Sequence, residues 1–187
     1  MPEKLTRAFA RRPEVFLTPG TLHCASVPSR VTTILGSCVA VCLWDRALRV
    51  GGMNHYVLPH RRDDSVSARF GDVAMEHLLG EMLMLGSRMP SLRAKVFGGA
   101  AVLPFATGGD PVGDRNVRVA LSCLAKCGIP VIARRTGGRS GLLIRLFTDS
   151  GEVLVRRVAG NGCDLPPSAS SLSPRSLSVV RAGLAGC

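Results

Sequence analysis

The sequence predicts an α+β fold built on mixed β-sheets, and three observations carry that reading. Strand-like and helix-like segments alternate over residues 31–158, two pairs of neighbouring strands are close enough to form hairpins, and short apolar strands separate the helical segments. Hairpins demand antiparallel pairing while interleaved helices supply crossovers, so the sheet is expected to be mixed.

Each element has a local reason. Val31–Leu35 is rich in β-branched residues and leads through Gly36-Ser37 into Cys38–Trp44, a continuous apolar run of the length of a buried strand. Asp45-Arg46 supplies a turn, Ala47–Leu58 returns as a strand containing Gly51-Gly52, and Pro59 stops it. Asp72 is placed to cap a helix whose apolar positions Val73, Met75, Leu78, Leu79, Met82 and Leu85 follow a helical period, with Gly86 ending it. A second helix runs from Asp114 through Val117, Leu121, Leu124 and Cys127 to Gly128, with Pro130 just beyond. Short strands are expected at Ala94–Phe97, Val131–Ala133, Leu142–Phe147 and Glu152–Val158, the last two joined by a hairpin through Asp149-Ser150-Gly151.

At 187 residues the chain fits one ordinary core. Residues 1–12 read as a flexible basic arm, 13–160 as the folded domain, and 161–187, rich in Ser, Pro and Gly, as a disordered tail in which residues 176–186 could form a short helix. A net charge of +11 favours acidic partners. With one Trp, one Tyr and no recognition-helix motif, however, specific nucleic-acid binding is not expected. No apolar run is long enough for a membrane span and no signal-peptide pattern opens the chain, so the expected location is cytoplasmic, without membrane insertion. Seven cysteines, an odd number, read as free thiols rather than a disulfide framework.

The stretch Thr32-Thr33-Ile34-Leu35-Gly36-Ser37-Cys38, followed by Gly51-Gly52-Met53-Asn54-His55, is the most informative. Pairing the two strands antiparallel brings Cys38 to within about one residue of His55 on one face. A thiol beside an imidazole is the arrangement a cysteine nucleophile needs, with the imidazole lowering the thiol pKa or taking its proton. A bend at Gly36-Ser37 would aim the backbone N–H groups of Ser37 and Cys38 at one point, as an oxyanion site requires. Gly36, Gly51, Gly52 and Asn54 are then candidates for substrate contact. The same residues also fit a buried strand cysteine, a bulge and a satisfied strand histidine.

Other groupings carry less. Cys38-x3-Cys42 and Cys123-x3-Cys127 have a spacing that invites a metal, but the second pair lies on an apolar helix stripe where burial accounts for it, so no metal is expected. His23 and Cys24, adjacent in a strand, point to opposite faces. Gly98-Gly99 lacks the lysine and helix start of a phosphate loop and reads as close backbone packing.

The run GSCVAVCLWD followed by GGMNHYVLP resembles the CheD family, the chemoreceptor glutamine deamidases of bacterial chemotaxis. The likeness continues through Phe70-Gly71-Asp72, Ala94-Lys95-Val96-Phe97-Gly98-Gly99-Ala100, Val112-Gly113-Asp114-Arg115-Asn116-Val117, Ile129-Pro130 and Thr136-Gly137-Gly138, covering about residues 18–157. It departs from the family's usual pattern at Leu142 and at Arg134-Arg135. The resemblance implies a sandwich-like core flanked by helices, of the kind shared with bacterial toxin deamidases. It further implies a hydrolase that converts receptor glutamine side chains to glutamate without a cofactor. Carried over residue by residue, the nucleophile falls on Cys38, the histidine on His55, and the third catalytic member on Thr32, six residues before the cysteine. Methyl-accepting chemoreceptors are the implied partners, with a CheC-like phosphatase as a further one. An alternative is that the chain mainly docks onto those proteins as a regulatory module.

Overall fold

The computed structural model describes residues 12–101, 110–158 and 178–180. In chain order the elements are β1 (Glu14–Phe16), β2 (Thr21–Ala25), β3 (Arg30–Leu35), β4 (Val39–Asp45), β5 (Val50–His55), α1 (Gly71–Met84), a 3₁₀ turn (Met89–Ser91), β6 (Leu92–Gly98), α2 (Val112–Lys126), β7 (Val131–Thr136), β8 (Gly141–Phe147), β9 (Val153–Val158) and β10 (Ser178–Val180). Among the described residues they form two five-stranded sheets, ordered β1-β3-β8-β9-β10 and β2-β5-β4-β6-β7. Each is mixed: β1 runs parallel to β3 and β6 parallel to β7, while the other pairs are antiparallel. The expected α+β class with mixed sheets is what the chain adopts.

Alternation along β4 explains the layering. Val39, Val41 and Leu43 face α1 and α2 and join Tyr56, Met75, Leu78, Met82 and Leu124 in one apolar cluster. Ala40 and Cys42 face the other sheet and join Met53, Phe97, Val31, Leu35, Ile144, Leu146 and Val155 in a second. A strand covered on both faces has no polar side to present, which is why Cys38–Trp44 reads as an unbroken apolar run. The order of layers is therefore sheet, sheet, helices, with α1 and α2 on the outer face of the β2-β5-β4-β6-β7 sheet.

Several local expectations shift. The returning strand begins at Val50, because residues 46–49 form a turn in which Asp45 accepts the backbone N–H groups of Ala47 and Leu48. Neither Asp72 nor Asp114 caps its helix. The capping positions are Phe70 and Pro111 without side-chain bonds, and both aspartates sit inside the first turn, where they complement the helix dipole. The glycine ends hold: Gly86 and Gly128 take φ of +92° and +66° just past α1 and α2. Ser178–Val180, in the stretch read as disordered or helical, pairs as a strand with Val153–Val155. The rest of that tail, like residues 1–11, lies outside the described residues.

Candidate active site

Cys38 sits in the connection between β3 and β4, and the carbonyls of that connection are all engaged. Gly36 O accepts Ala100 N–H at 2.8 Å and Cys38 O accepts Gly99 N–H at 2.8 Å. Ser37 O accepts the side-chain amide of Asn116 at 3.0 Å. Gly98 and Gly99 hold φ of +103° and +71°, and a Cβ on Gly98 would run into Cys38 O, so close backbone packing is their role. With the carbonyls tied back, the N–H groups of Ser37 and Cys38 donate to no backbone acceptor among the described residues.

His55 ends β5. Cys42 pairs with Met53, and the Val39–Tyr56 bridge keeps the same register, closed by two 3.0 Å backbone bonds. His55 therefore lies opposite Ala40, and Cys38 is the next residue on that face, a diagonal neighbour rather than a directly opposed one. Such positions stand roughly 7 Å apart at Cβ, within reach of a thiol and an imidazole turned toward each other. Both face the other sheet.

The hydrogen bonds around His55 fix its tautomer. Thr33 Oγ1 donates its one proton to Leu17 O at 2.8 Å, so at its 2.8 Å contact with His55 Nδ1 it must accept. The ring proton is thus on Nδ1, and Nε2 is a bare lone pair, buried and without a described partner. Burial pulls the His55 pKa down to about 4, only partly opposed by the bond toward the Leu17 backbone, so the ring is neutral at pH 7.

Thr32, the expected third member, is replaced in this contact by Thr33. Strand alternation turns Val31, Thr33 and Leu35 toward the other sheet and Thr32 away from it, where its hydroxyl accepts Arg145 Nε–H at 3.2 Å. The electrostatics at Cys38 also differ from expectation. Burial raises its thiol pKa, and the opposing pull comes from its own backbone N–H and the Arg69 charge rather than from the imidazole. Thiol and imidazole therefore rest as a neutral pair. Burial pushes half-buried Cys24 and fully buried Cys42 further, up to about 12.

Of the expected substrate contacts, Asn54, Gly51 and Gly52 are taken up by packing. Asn54 is fully buried on the helix side, its Oδ1 accepting Val41 N–H at 2.8 Å and its amide donating to Ala74 O at 3.0 Å. A Cβ on Gly51 would meet Thr148 O at 2.8 Å and one on Gly52 would strike the Cys24 side chain, so both glycines serve close packing and leave no open space. Gly36 alone of that group lies at the site, beside Ser37. His23 and Cys24 point to opposite faces of β2, as their pairing with Met53 and Gly52 shows.

Asn116 is the residue the sequence reading missed. Wholly buried on α2, its amide donates to Ser37 O at 3.0 Å and to Val57 O at 2.8 Å, tying the Cys38 connection to the end of the His55 strand. Tyr56 Oη in turn donates to Asn116 O at 2.7 Å. The available signal was an amide on the same stripe of α2 as buried Val119, Ala120 and Leu124, where a lone polar side chain needs partners. Among the described residues no cluster of three or more His, Cys, Asp or Glu could hold a metal. No described helix is long and apolar enough to cross a membrane.

Comparison with known proteins gives this geometry a setting. The profile of the family described as CheD chemotactic sensory transduction matches residues 57–157. The probable chemoreceptor glutamine deamidase CheD of Rhodospirillum rubrum is 57% identical over 146 residues, 78% of this chain and 83% of its own. The probable chemoreceptor glutamine deamidase CheD 1 of Anaeromyxobacter dehalogenans is 44% identical over 147 residues, 79% of this chain and 86% of its own. Among solved structures, the Bacillus licheniformis hypothetical protein YfiH aligns with 61% of this chain and 49% of its own at 15% identity and a TM-score of 0.43.

Proposed function

The chain belongs to the CheD family, and from that premise and the site geometry we propose that it hydrolyses glutamine side chains in the cytoplasmic helices of chemoreceptors to glutamate and ammonia. The observation that carries the chemistry is the bare Nε2 of His55, held on the face it shares with Cys38 by the Thr33 bond to Nδ1. Because thiol and imidazole rest neutral, proton transfer accompanies attack: Cys38 Sγ bonds the carboxamide carbon as its proton passes to Nε2. The negative oxygen that forms is received by the N–H groups of Ser37 and Cys38, which have no competing backbone acceptor among the described residues. The imidazolium then gives its proton to the departing amine, releasing ammonia and leaving a thioester on Cys38. Water, deprotonated by Nε2, cleaves the thioester to glutamate, and the thiol regains its proton. Thr33 keeps the ring oriented throughout, and the positive charge on the ring is transient because burial disfavours it. No step calls for a metal or organic cofactor.

The test is to incubate the purified chain with a receptor cytoplasmic fragment and follow ammonia together with the fragment's mass. Release of ammonia with a gain of about 1 Da per glutamine supports the proposal. An unchanged fragment under conditions where the two proteins associate would leave docking, on receptors or on a CheC-like phosphatase, as the function of this face.

A further inference from the structure

We propose that Arg69 is the substrate-selecting cation of this site, its guanidinium binding a carboxylate carried next to the reacting glutamine. The proposal rests on the deamidase reading and sharpens it to a substrate class: glutamines with an acidic neighbour on the same helix face.

Two tethers fix where Arg69 stands. Its carbonyl accepts the N–H groups of Val57 and Leu58 at 2.9 and 3.0 Å, and Val57 is the residue that the Val39–Tyr56 register places opposite Cys38. Its side-chain stem lies over Gly20, where an added Cβ would come within 2.6 Å of Arg69 Cγ, and Gly20 N–H is bonded to His55 O at 2.7 Å. Gly20 itself holds φ of +85°, so any other residue under the arginine stem would be strained and would collide with it. The backbone thus roots Arg69 beside the strand facing the nucleophile, and its stem crosses the residue bonded to the general base.

The charge it brings there is uncommitted. Arg12, Arg30, Arg61 and Arg118 each pair with a carboxylate. Arg69 is exposed and pairs with none among the described residues. Its charge also reaches the Cys38 thiol, and among the described residues no carboxylate acts against it there. An unpaired guanidinium at the rim of a reactive site is a fork suited to a planar carboxylate, and a substrate carboxylate is the partner that the described residues do not supply.

The experiment compares two helical peptides that differ only in carrying Glu or Ala beside the reacting glutamine, with the full chain as wild type, Arg69→Gln, Arg69→Lys and Arg69→Glu. Wild type should prefer the Glu peptide in kcat/KM by on the order of fivefold, the scale of a partly exposed ion pair. Arg69→Gln should bring that ratio close to one, Arg69→Lys should keep part of it, and Arg69→Glu should invert it. Added salt should erase the wild-type preference as well. A wild-type ratio near one, or a ratio that Arg69→Gln and Arg69→Glu leave unchanged, overturns the assignment. If Arg69→Gln slows both peptides equally and shifts the pH profile of Cys38 alkylation, the arginine serves the thiolate and the selectivity claim fails. Absence of turnover by wild type on either peptide and on an intact receptor fragment would instead remove the deamidase reading, and this proposal with it.

Discussion

Burying a neutral His55 makes the fold sensitive to acid, by an amount the site itself sets. Its pKa falls from 6.5 in the unfolded chain to about 4 in the folded one, with burial as the main cause. Between those values the unfolded chain holds the extra proton, so stability rises with pH across that window. The contribution is fully present above about pH 6.5 and lost as pH falls through about 4; at 1.36 kcal/mol per unit it amounts to about 3 kcal/mol. The loss does not come from the Thr33 contact, since a protonated ring still carries its proton on Nδ1. It comes from placing a charge at Nε2, where no described acceptor waits. Urea unfolding of wild type and His55→Gln at pH 4, 5, 6 and 7 isolates this contribution, because the amide does not titrate while every other group is common to both. The wild-type stability should drop by about 3 kcal/mol more than the variant's over that range. Parallel pH profiles for the two proteins would refute a buried neutral imidazole, and with it the free Nε2 base.

Thr33→Val should cost about 1–3 kcal/mol, because it removes the buried hydroxyl that both His55 Nδ1–H and Leu17 O use, and should lower turnover at least tenfold by releasing the ring. Thr32→Val, which disturbs only a contact with Arg145 on the other side of β3, should leave turnover within a few-fold; equal damage from the two would contradict the Thr33 assignment. Asn116→Leu should reduce both stability and turnover, since Ser37 O and Val57 O lose their shared donor. A variant that unfolds at the wild-type urea midpoint with full activity would show that the tie between the two segments is dispensable.

What could be read in advance follows the range of the interaction involved. The β4 strand was legible because burial on both faces leaves one apolar run, and the ends of α1 and α2 because Gly86 and Gly128 take a left-handed conformation locally. Asp72 looked like a cap from its position, yet its carboxylate accepts the N–H of the next residue, Val73, at 2.9 Å and that of Arg61 at 3.3 Å, a loop contact that no local pattern announces. The short strands β1 and β2 are half exposed and carry little periodicity, so only their partners β3 and β5 define them. The pair Cys38 and His55 was legible because one hairpin carries both. The choice between Thr32 and Thr33 was not, since it depends on which face of β3 meets the other sheet, and two adjacent threonines look alike until that packing is known. Gly51-Gly52 invited a reading as substrate contacts, whereas Thr148 and Cys24 pack against them from two non-local directions.

The claim that Cys38 is the nucleophile and His55 its base is tested most directly on the receptor fragment itself, by mapping glutamine-to-glutamate conversion by mass spectrometry with wild type, Cys38→Ala and His55→Ala at matched concentration. Wild type should convert defined glutamines, each with a gain of about 1 Da, while Cys38→Ala converts none and His55→Ala is slowed by about a hundredfold or more, with both variants folded. Conversion of the same glutamines by Cys38→Ala at the wild-type rate would contradict the account at its centre.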